Sequence, residues 1–435
     1  MFRTIEAKRF HSLNETVKDN ITVQSGKEEM RRKHTEMLIR CSAGDRDAKE
    51  YVKSLIYKNL IEEGIKEEGL LNELTDKIYS KNWGLGHLDQ YDTDDVDEIM
   101  VHGTKILIQQ KGTVIKVEEE FGSYEETLAI IRRCLEFDKS QDINEKNCIV
   151  FTKRIDGSRV TAVIPRAGKM PYLNIRKFDS FMPVTENMVG SKTVTQEMVE
   201  VLKTLVKGRA NIVVIGEMGS GKTTFLKWLL GFMPEDLIIG TLETTFELHL
   251  EKLYPDRHWV QLEEQYDYSL QNLFATMLRQ NVDIMLVGES RSYEVNELIK
   301  AMSRGHSGSI GTAHSIGARE VIDDFADMIL ESGKSVDLQA LKYRIARAID
   351  IVIKFRKLPD RSRKCAGIYE IVTDSESMKY DAVPIFEFEI NEENPQDKGA
   401  HIRKNDITEN LKKKLNEYGV KMREIQKIFP TKQDK

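Results

Sequence analysis

Gly216-Glu217-Met218-Gly219-Ser220-Gly221-Lys222-Thr223 has the residue types and spacing of a loop that wraps phosphate. Its glycines let successive backbone N–H groups turn inward, and the start of a helix adds partial positive charge where they converge. In such a loop Lys222 reaches the β- and γ-phosphates and the Thr223 hydroxyl ligates a divalent cation, with Thr224 completing the binding set. The apolar run NIVVI precedes the loop and TTFLKWLLGF follows it, so strand and helix fall on the required sides. ATP and Mg2+ are the expected ligands.

Hydrolysis also needs a group that readies water. Asp283 to Glu289 is an apolar strand ending in a carboxylate, and at the tip of a strand beside the phosphate loop Glu289 can orient and deprotonate the attacking water. Gly288 stands where hydrolases of this class commonly carry Asp, so metal contact from that strand is expected to be indirect. Glu243 and Glu247, in TLETTFEL, follow another strand, and one of them could touch Mg2+ or the water; Glu243 is the candidate metal ligand. His306 and His314 flank a glycine-rich strand and together suggest sensing of the γ-phosphate. Arg154, Arg159, Arg176 and Arg291 are candidates to meet transition-state charge, although an isolated arginine is more often a surface residue.

The elements that must position these residues are visible as changes of texture. Residues 1–90 show apolar spacings of three and four, a helical N-terminal region, and Gly84 and Gly86 end the pattern. Residues 91–178 read as an α+β domain: EIMVHG and KILIQQKGTVIKVEEEF as strands turning at Lys111-Gly112, and a Ser123/Glu126 capping box opening a helix through Cys134. A second hairpin turns at Asp156-Gly157. Residues 179–194 are polar and read as a linker. In 195–390 the runs NIVVIG, LIIGTLE, DIMLVGE, SIGTAH and DIVIKF alternate with helical segments, which implies an α/β domain with a largely parallel sheet. Residues 391–435 read as one charged amphipathic helical tail.

With 435 residues, two or three domains are expected. The net charge of −6 offers no long basic stripe, so direct nucleic-acid binding is not expected. No apolar run reaches the roughly 18 residues of a membrane span, and MFRTIEAKRF lacks a signal-peptide core. The four cysteines have no paired spacing, which argues against a disulfide framework or zinc site and for a reducing cytosol.

Taken together, GEMGSGKTT, LETTFEL, LRQNVDIMLVGESR and MSRGHSGSIGTAH resemble the four boxes of the type II/type IV secretion ATPases. GLGHLDQY, VDEIMVHG, RIDGSRVTAVIP, LNIRKF and AIDIVIKF resemble its Tad pilus (CpaF/TadA-like) branch. The resemblance implies a cytoplasmic homo-hexameric motor, peripheral to the membrane, that works on an inner-membrane platform protein in pilus assembly or secretion. It implies a RecA-like P-loop domain, with N-terminal arginines contacting phosphate, Glu289 as the catalytic glutamate and His314 as the second histidine of its box. The acidic box departs from the family at Thr244, where Asp is usual, and the tetracysteine element of the type II branch is absent. DNA-transfer ATPases of conjugation share every box. A nucleotide-dependent scaffold with little turnover is the reading from another class, and intact Lys222 and Glu289 argue against it.

Overall fold

Apolar residues three and four apart fold the start of the chain into helices α1 (Ala7–Thr22), α2 (Glu28–Arg40), α3 (Arg46–Glu62) and α4 (Glu68–Asn82). The stripe Ala48, Val52, Ile56 and Leu60 of α3 is buried, and Asp45 caps the helix by accepting from the Ala48 N–H at 3.1 Å. The computed structural model describes residues 7–22, 28–110, 113–138, 140–177, 183–265, 267–290, 294–331, 336–390 and 399–430. Its chain divides into two units, Met1–Ser180 and Phe181–Lys435. Among the described residues, no helix is long and apolar enough to cross a membrane.

The rest of the first unit is a sheet of β1 (Glu98–His102), β2 (Lys105–Gln110), β3 (Thr113–Glu120), β4 (Ile149–Lys153), β5 (Arg159–Val163) and β6 (Tyr172–Arg176), with helix α5 (Tyr124–Leu135). The strand order is β3-β2-β1-β6-β5-β4, antiparallel throughout. Alternate residues such as Val101, Ile106, Val160 and Ile175 meet Ile130, Ile131 and Cys134 of α5 in one core. Ser123 caps α5 as its motif predicts, accepting from Glu126 N–H at 3.2 Å. The reciprocal bond lands one residue upstream, from Gly122 N–H to Glu126 Oε2 at 2.6 Å. The Lys111-Gly112 turn lies outside the described residues.

The second unit opens with α6 (Thr185–Gly190) and α7 (Gln196–Lys207), and continues β7 (Ile212–Gly216), α8 (Lys222–Leu230), β8 (Ile238–Glu243), α9 (Leu250–Leu253) and β9 (His258–Glu263). Then come α10 (Leu270–Met277), β10 (Ile284–Ser290), α11 (Glu294–Ser303), β11 (Ile310–Ala313), α12 (Glu320–Glu331), α13 (Leu338–Ala348) and β12 (Ile351–Lys357). The chain closes with β13 (Arg363–Asp374), β14 (Lys379–Glu389), β15 (Ala400–Arg403), α14 (Glu409–Glu417) and α15 (Met422–Ile428). The sheet order is β15-β14-β13-β12-β7-β11-β10-β8-β9. From β12 to β9 neighbours run parallel, whereas β13, β14 and β15 add antiparallel pairs. Strand β7 explains why this sheet is covered on both faces: Ile212 and Val214 enter one core, Val213 and Ile215 another.

Two segments depart from their sequence reading. The stretch read as a linker contains α6, and two of its apolar residues, Met188 and Val194, join the core of the second unit. Residues 179–182 of that stretch lie outside the described residues. The segment read as one charged tail helix is a strand and two helices. Gly419, at φ +93°, separates α14 from α15, and Leu411, Leu415, Val420, Ile425 and Phe429 are buried in the same core. Leu415 packs so closely on Gly208 that a Cβ there would stand 2.5 Å from its side chain. Charged residues dominate the composition of the tail, but apolar burial decides where it goes.

Candidate nucleotide-binding site

The phosphate-type loop lies between β7 and α8, as its motif requires. Gly216 has φ +150°, and a Cβ there would meet the Phe355 carbonyl oxygen at 2.5 Å, so neighbouring strand β12 requires glycine at this turn. Gly219 and Gly221 also have positive φ, +71° and +98°. Gly221 occupies the N-cap of α8 and supplies no side-chain acceptor, which leaves the first-turn N–H groups for an anion. Lys222 is buried, and its Nζ donates to the Gly216 and Glu217 carbonyls at 2.8 and 3.0 Å. Met218, at the outer turn, is 81% exposed, whereas Ser220 is buried. Thr223 and Thr224 are half-buried at the start of α8.

Parallel pairing gathers the candidate groups at one end of the sheet. Ile215 of β7 is in register with Ala313 of β11, and Ala313 with Ser290 of β10. Gly216, Glu289 and His314 therefore follow the same edge, as does Glu243 at the end of β8. The backbone of Glu289 belongs to β10, while its side chain, and all of Arg291, lie outside the described part of the structure. His314 is exposed.

His306 does not share this edge. It precedes β11, at the opposite end of the strand from His314, and its Nδ1 lies 3.1 Å from the Val282 carbonyl oxygen. A four-residue strand spans about 13 Å, so the two histidines cannot meet one phosphate together. His306 thus lies away from the edge that carries His314, which corrects their pairing in the sequence reading.

Glu243 also takes a different part. It is buried, and its Oε2 accepts from the Glu247 and Leu248 N–H groups at 2.8 and 3.0 Å. Burial pushes its carboxyl above the ordinary value, against the pull of those two N–H groups. This geometry braces the loop after β8 and leaves Glu243 poorly placed as a metal ligand. Half-buried Glu247 stands in that loop. Sequence reasoning missed Glu263, which faces Glu243 across the β8–β9 pairing and accepts from Phe246 N–H at 2.6 Å. Among the described residues, no three His, Cys, Asp or Glu side chains form a group that could hold a metal ion. The half-buried Thr223 hydroxyl does fit a divalent cation that takes its other ligands from phosphate and water.

In the first unit Arg154 is buried and lies 3.4 Å from Asp92 and 3.7 Å from Asp156. Burial opposes its charge, but Asp156, Cys134 and Asp92 outweigh it and hold the guanidinium above its ordinary pKa. An arginine enclosed by carboxylates of its own unit is not available to phosphate, which corrects its candidacy. Arg159 and Arg176 stand opposite each other on β5 and β6, on the polar face, with Lys153 next in register on β4. On its other side Arg176 is in register with Glu98 of β1, so a carboxylate stands in the same row as the cations. Arg363 is the other residue that the motifs did not mark: its Nε donates to the Gly219 carbonyl at 3.1 Å.

The chain is 25% identical over 238 residues to the conjugal transfer protein TrbB of Rhizobium radiobacter, covering 54% of this chain and 70% of that protein. It is 25% identical over 291 residues to the type IV secretion system protein VirB11 of Bartonella quintana, covering 57% and 80%. The fold is similar to that of the ATPase DotB of Yersinia pseudotuberculosis, with TM-score 0.51 and 15% identity over 68% of this chain and 80% of that one. Residues 112–423 match the family described as type II/IV secretion system protein, and the chain belongs to that family.

Proposed function

We propose that this protein is an ATP-hydrolysing motor of a secretion or pilus machine. The observation that carries the reading is the glycine loop between β7 and α8, with an unblocked helix start, on the same sheet end as the close of strand β10, which contains Glu289 and is separated from β7 by β11. The N–H groups of the loop bind the phosphates, and Lys222 leaves its carbonyl partners to neutralise them. Thr223 would hold Mg2+ together with phosphate oxygens, and the bound cation would neutralise charge on the β- and γ-phosphates. Glu289 orients water and takes its proton, and exposed His314 contacts the terminal phosphate. Arg159 and Arg176 supply the basic pair that meets phosphate charge during the cycle.

The motor is a RecA-like hexamer, peripheral to the cytoplasmic face of the membrane, that moves a membrane-embedded platform. The strand order β9-β8-β10-β11-β7 and the VirB11 and DotB likenesses support this reading. The Tad-branch motifs favour pilus assembly. The names of the relatives, a conjugal transfer protein and a type IV secretion protein, favour the type IV branch as the second reading.

Turnover by the purified chain tests the function. Glu289→Gln is expected to keep ATP binding and lose at least about a hundredfold in hydrolysis, the scale of general-base loss. Turnover equal to wild type would remove Glu289 from the role. A protein that sediments strictly as a monomer with full ATPase activity would remove the ring.

A further inference from the structure

We propose that Arg363 is a second cation of the phosphate site, supplied by the β12–β13 hairpin of the same chain. The inference rests on the reading of the loop as a nucleotide site and adds to it a residue that no motif marks. The side chain of Arg363 lies along the loop. Its Nε donates to Gly219 O at 3.1 Å, and a Cβ on Gly221 would stand 3.0 Å from its Cδ. The aliphatic stem thus occupies the space that glycine leaves at 221, and the guanidinium is fixed beside the turn that encloses phosphate.

Among the described residues, the charge of this arginine is uncompensated. A guanidinium has five N–H donors. One bonds Gly219, and among the described residues no carboxylate pairs with Arg363 and nothing accepts from its terminal nitrogens. The side chain is exposed. An unpaired cation beside inward-facing N–H groups and a helix start adds positive charge to positive charge, which becomes favourable when an anion lies between them.

The backbone that carries it is held firmly. The Arg363 carbonyl accepts from Thr193 Oγ1 at 3.0 Å, and Cys365 N–H donates to the Thr193 carbonyl at 3.0 Å. The buried Lys364 donates to the Ser191 carbonyl at 2.7 Å. Strand β12 is itself the neighbour of β7, with Phe355 in register with Gly216. The backbone at Arg363 is thus held in place, and the Nε bond to Gly219 keeps the side chain at the loop. Arg363 contacts the phosphate chain of the nucleotide with its terminal nitrogens while its Nε holds the loop at Gly219.

The test is titration of the full chain with a fluorescent ADP, N-methylanthraniloyl-ADP, at several salt concentrations. Wild type is compared with Arg363→Gln, Arg363→Lys and Lys222→Ala, and a thermal melt without nucleotide checks the folding of each. Arg363→Gln should lose about tenfold in affinity, the equivalent of one charge-assisted hydrogen bond, and its affinity should depend less steeply on salt. Arg363→Lys should keep the salt dependence of wild type and lie between the two in affinity. Wild-type affinity in Arg363→Gln, beside a clear loss in Lys222→Ala, would overturn the role of Arg363 alone. A loss in Arg363→Gln with the salt dependence unchanged would also overturn it, since the residue would then act only on loop shape. Unchanged binding in Lys222→Ala would overturn the nucleotide site itself and the Arg363 proposal with it.

Discussion

Gly288 and Glu243 face each other on adjacent parallel strands so closely that a Cβ on Gly288 would stand 3.1 Å from Glu243 Cγ. This contact explains why the residue before Glu289 is glycine, although hydrolases of this class commonly have Asp there. Glu243 fills the space. The carbonyl of Gly288 also accepts from Thr312 Oγ1 at 2.6 Å, which fixes the strand next to β11. Gly288→Asp should therefore destabilise the protein by about 1–3 kcal/mol, from overpacking and from a second carboxylate beside a buried one. Gly288→Ala should cost less, and urea unfolding of the two variants measures the difference. A neutral Gly288→Asp would mean that Glu243 moves away freely.

The buried Glu243 gives a pH dependence whose sign can be worked out. Its folded pKa is raised, so the folded protein holds this proton more tightly than the unfolded chain does. That contribution to stability is fully present below the ordinary carboxylate value and is lost as pH rises through the folded pKa. Glu243→Gln keeps an oxygen for the Glu247 and Leu248 N–H groups and removes the cost of ionisation. Its melting temperature should exceed that of wild type near neutral pH, and the difference should shrink towards about pH 5. An equal difference at both pH values would mean that Glu243 ionises without cost in the folded state.

The final segment should matter to stability well beyond its charged appearance. Phe429 is fully buried, and Arg403 lies over its ring at 5.5 Å while bonding the Ile428 carbonyl at 2.7 Å. Phe429→Ala should cost about 3–5 kcal/mol, as truncation of a buried aromatic does. Denaturant unfolding measures it. A change within about 0.5 kcal/mol, typical of surface positions, would mean that this segment is not part of the core.

Local signals made much of this fold legible. NIVVIG, LIIGTLE, DIMLVGE, SIGTAH and DIVIKF all became strands, because each is an apolar run between turn residues. Ser123 and Glu126 announced α5 from only three residues apart. Other relationships depend on pairing that no local window contains. β9, HWVQLE, is a half-buried edge strand whose mixed composition gives no clear period, and β13 and β14 are long because they pair with each other. Arg154 looked like a free cation until the fold brought Asp92 next to it from 62 positions away. Arg363 lies 144 positions from Gly219. His306 and His314 resembled a pair in sequence, and the direction of β11 separates them.

In the proposed function, the loop Gly216–Thr223 binds the phosphates of ATP through Lys222. Titration of wild type and Lys222→Ala with ATP and Mg2+ is the most direct test, with circular dichroism to show that the variant is folded. In the proposed site the buried lysine is the main cation for phosphate, and hydrogen bonds to charged groups are worth about 1.5–3 kcal/mol each. Lys222→Ala should therefore bind ATP at least about tenfold more weakly, and a folded variant that binds ATP as tightly as wild type would contradict the account.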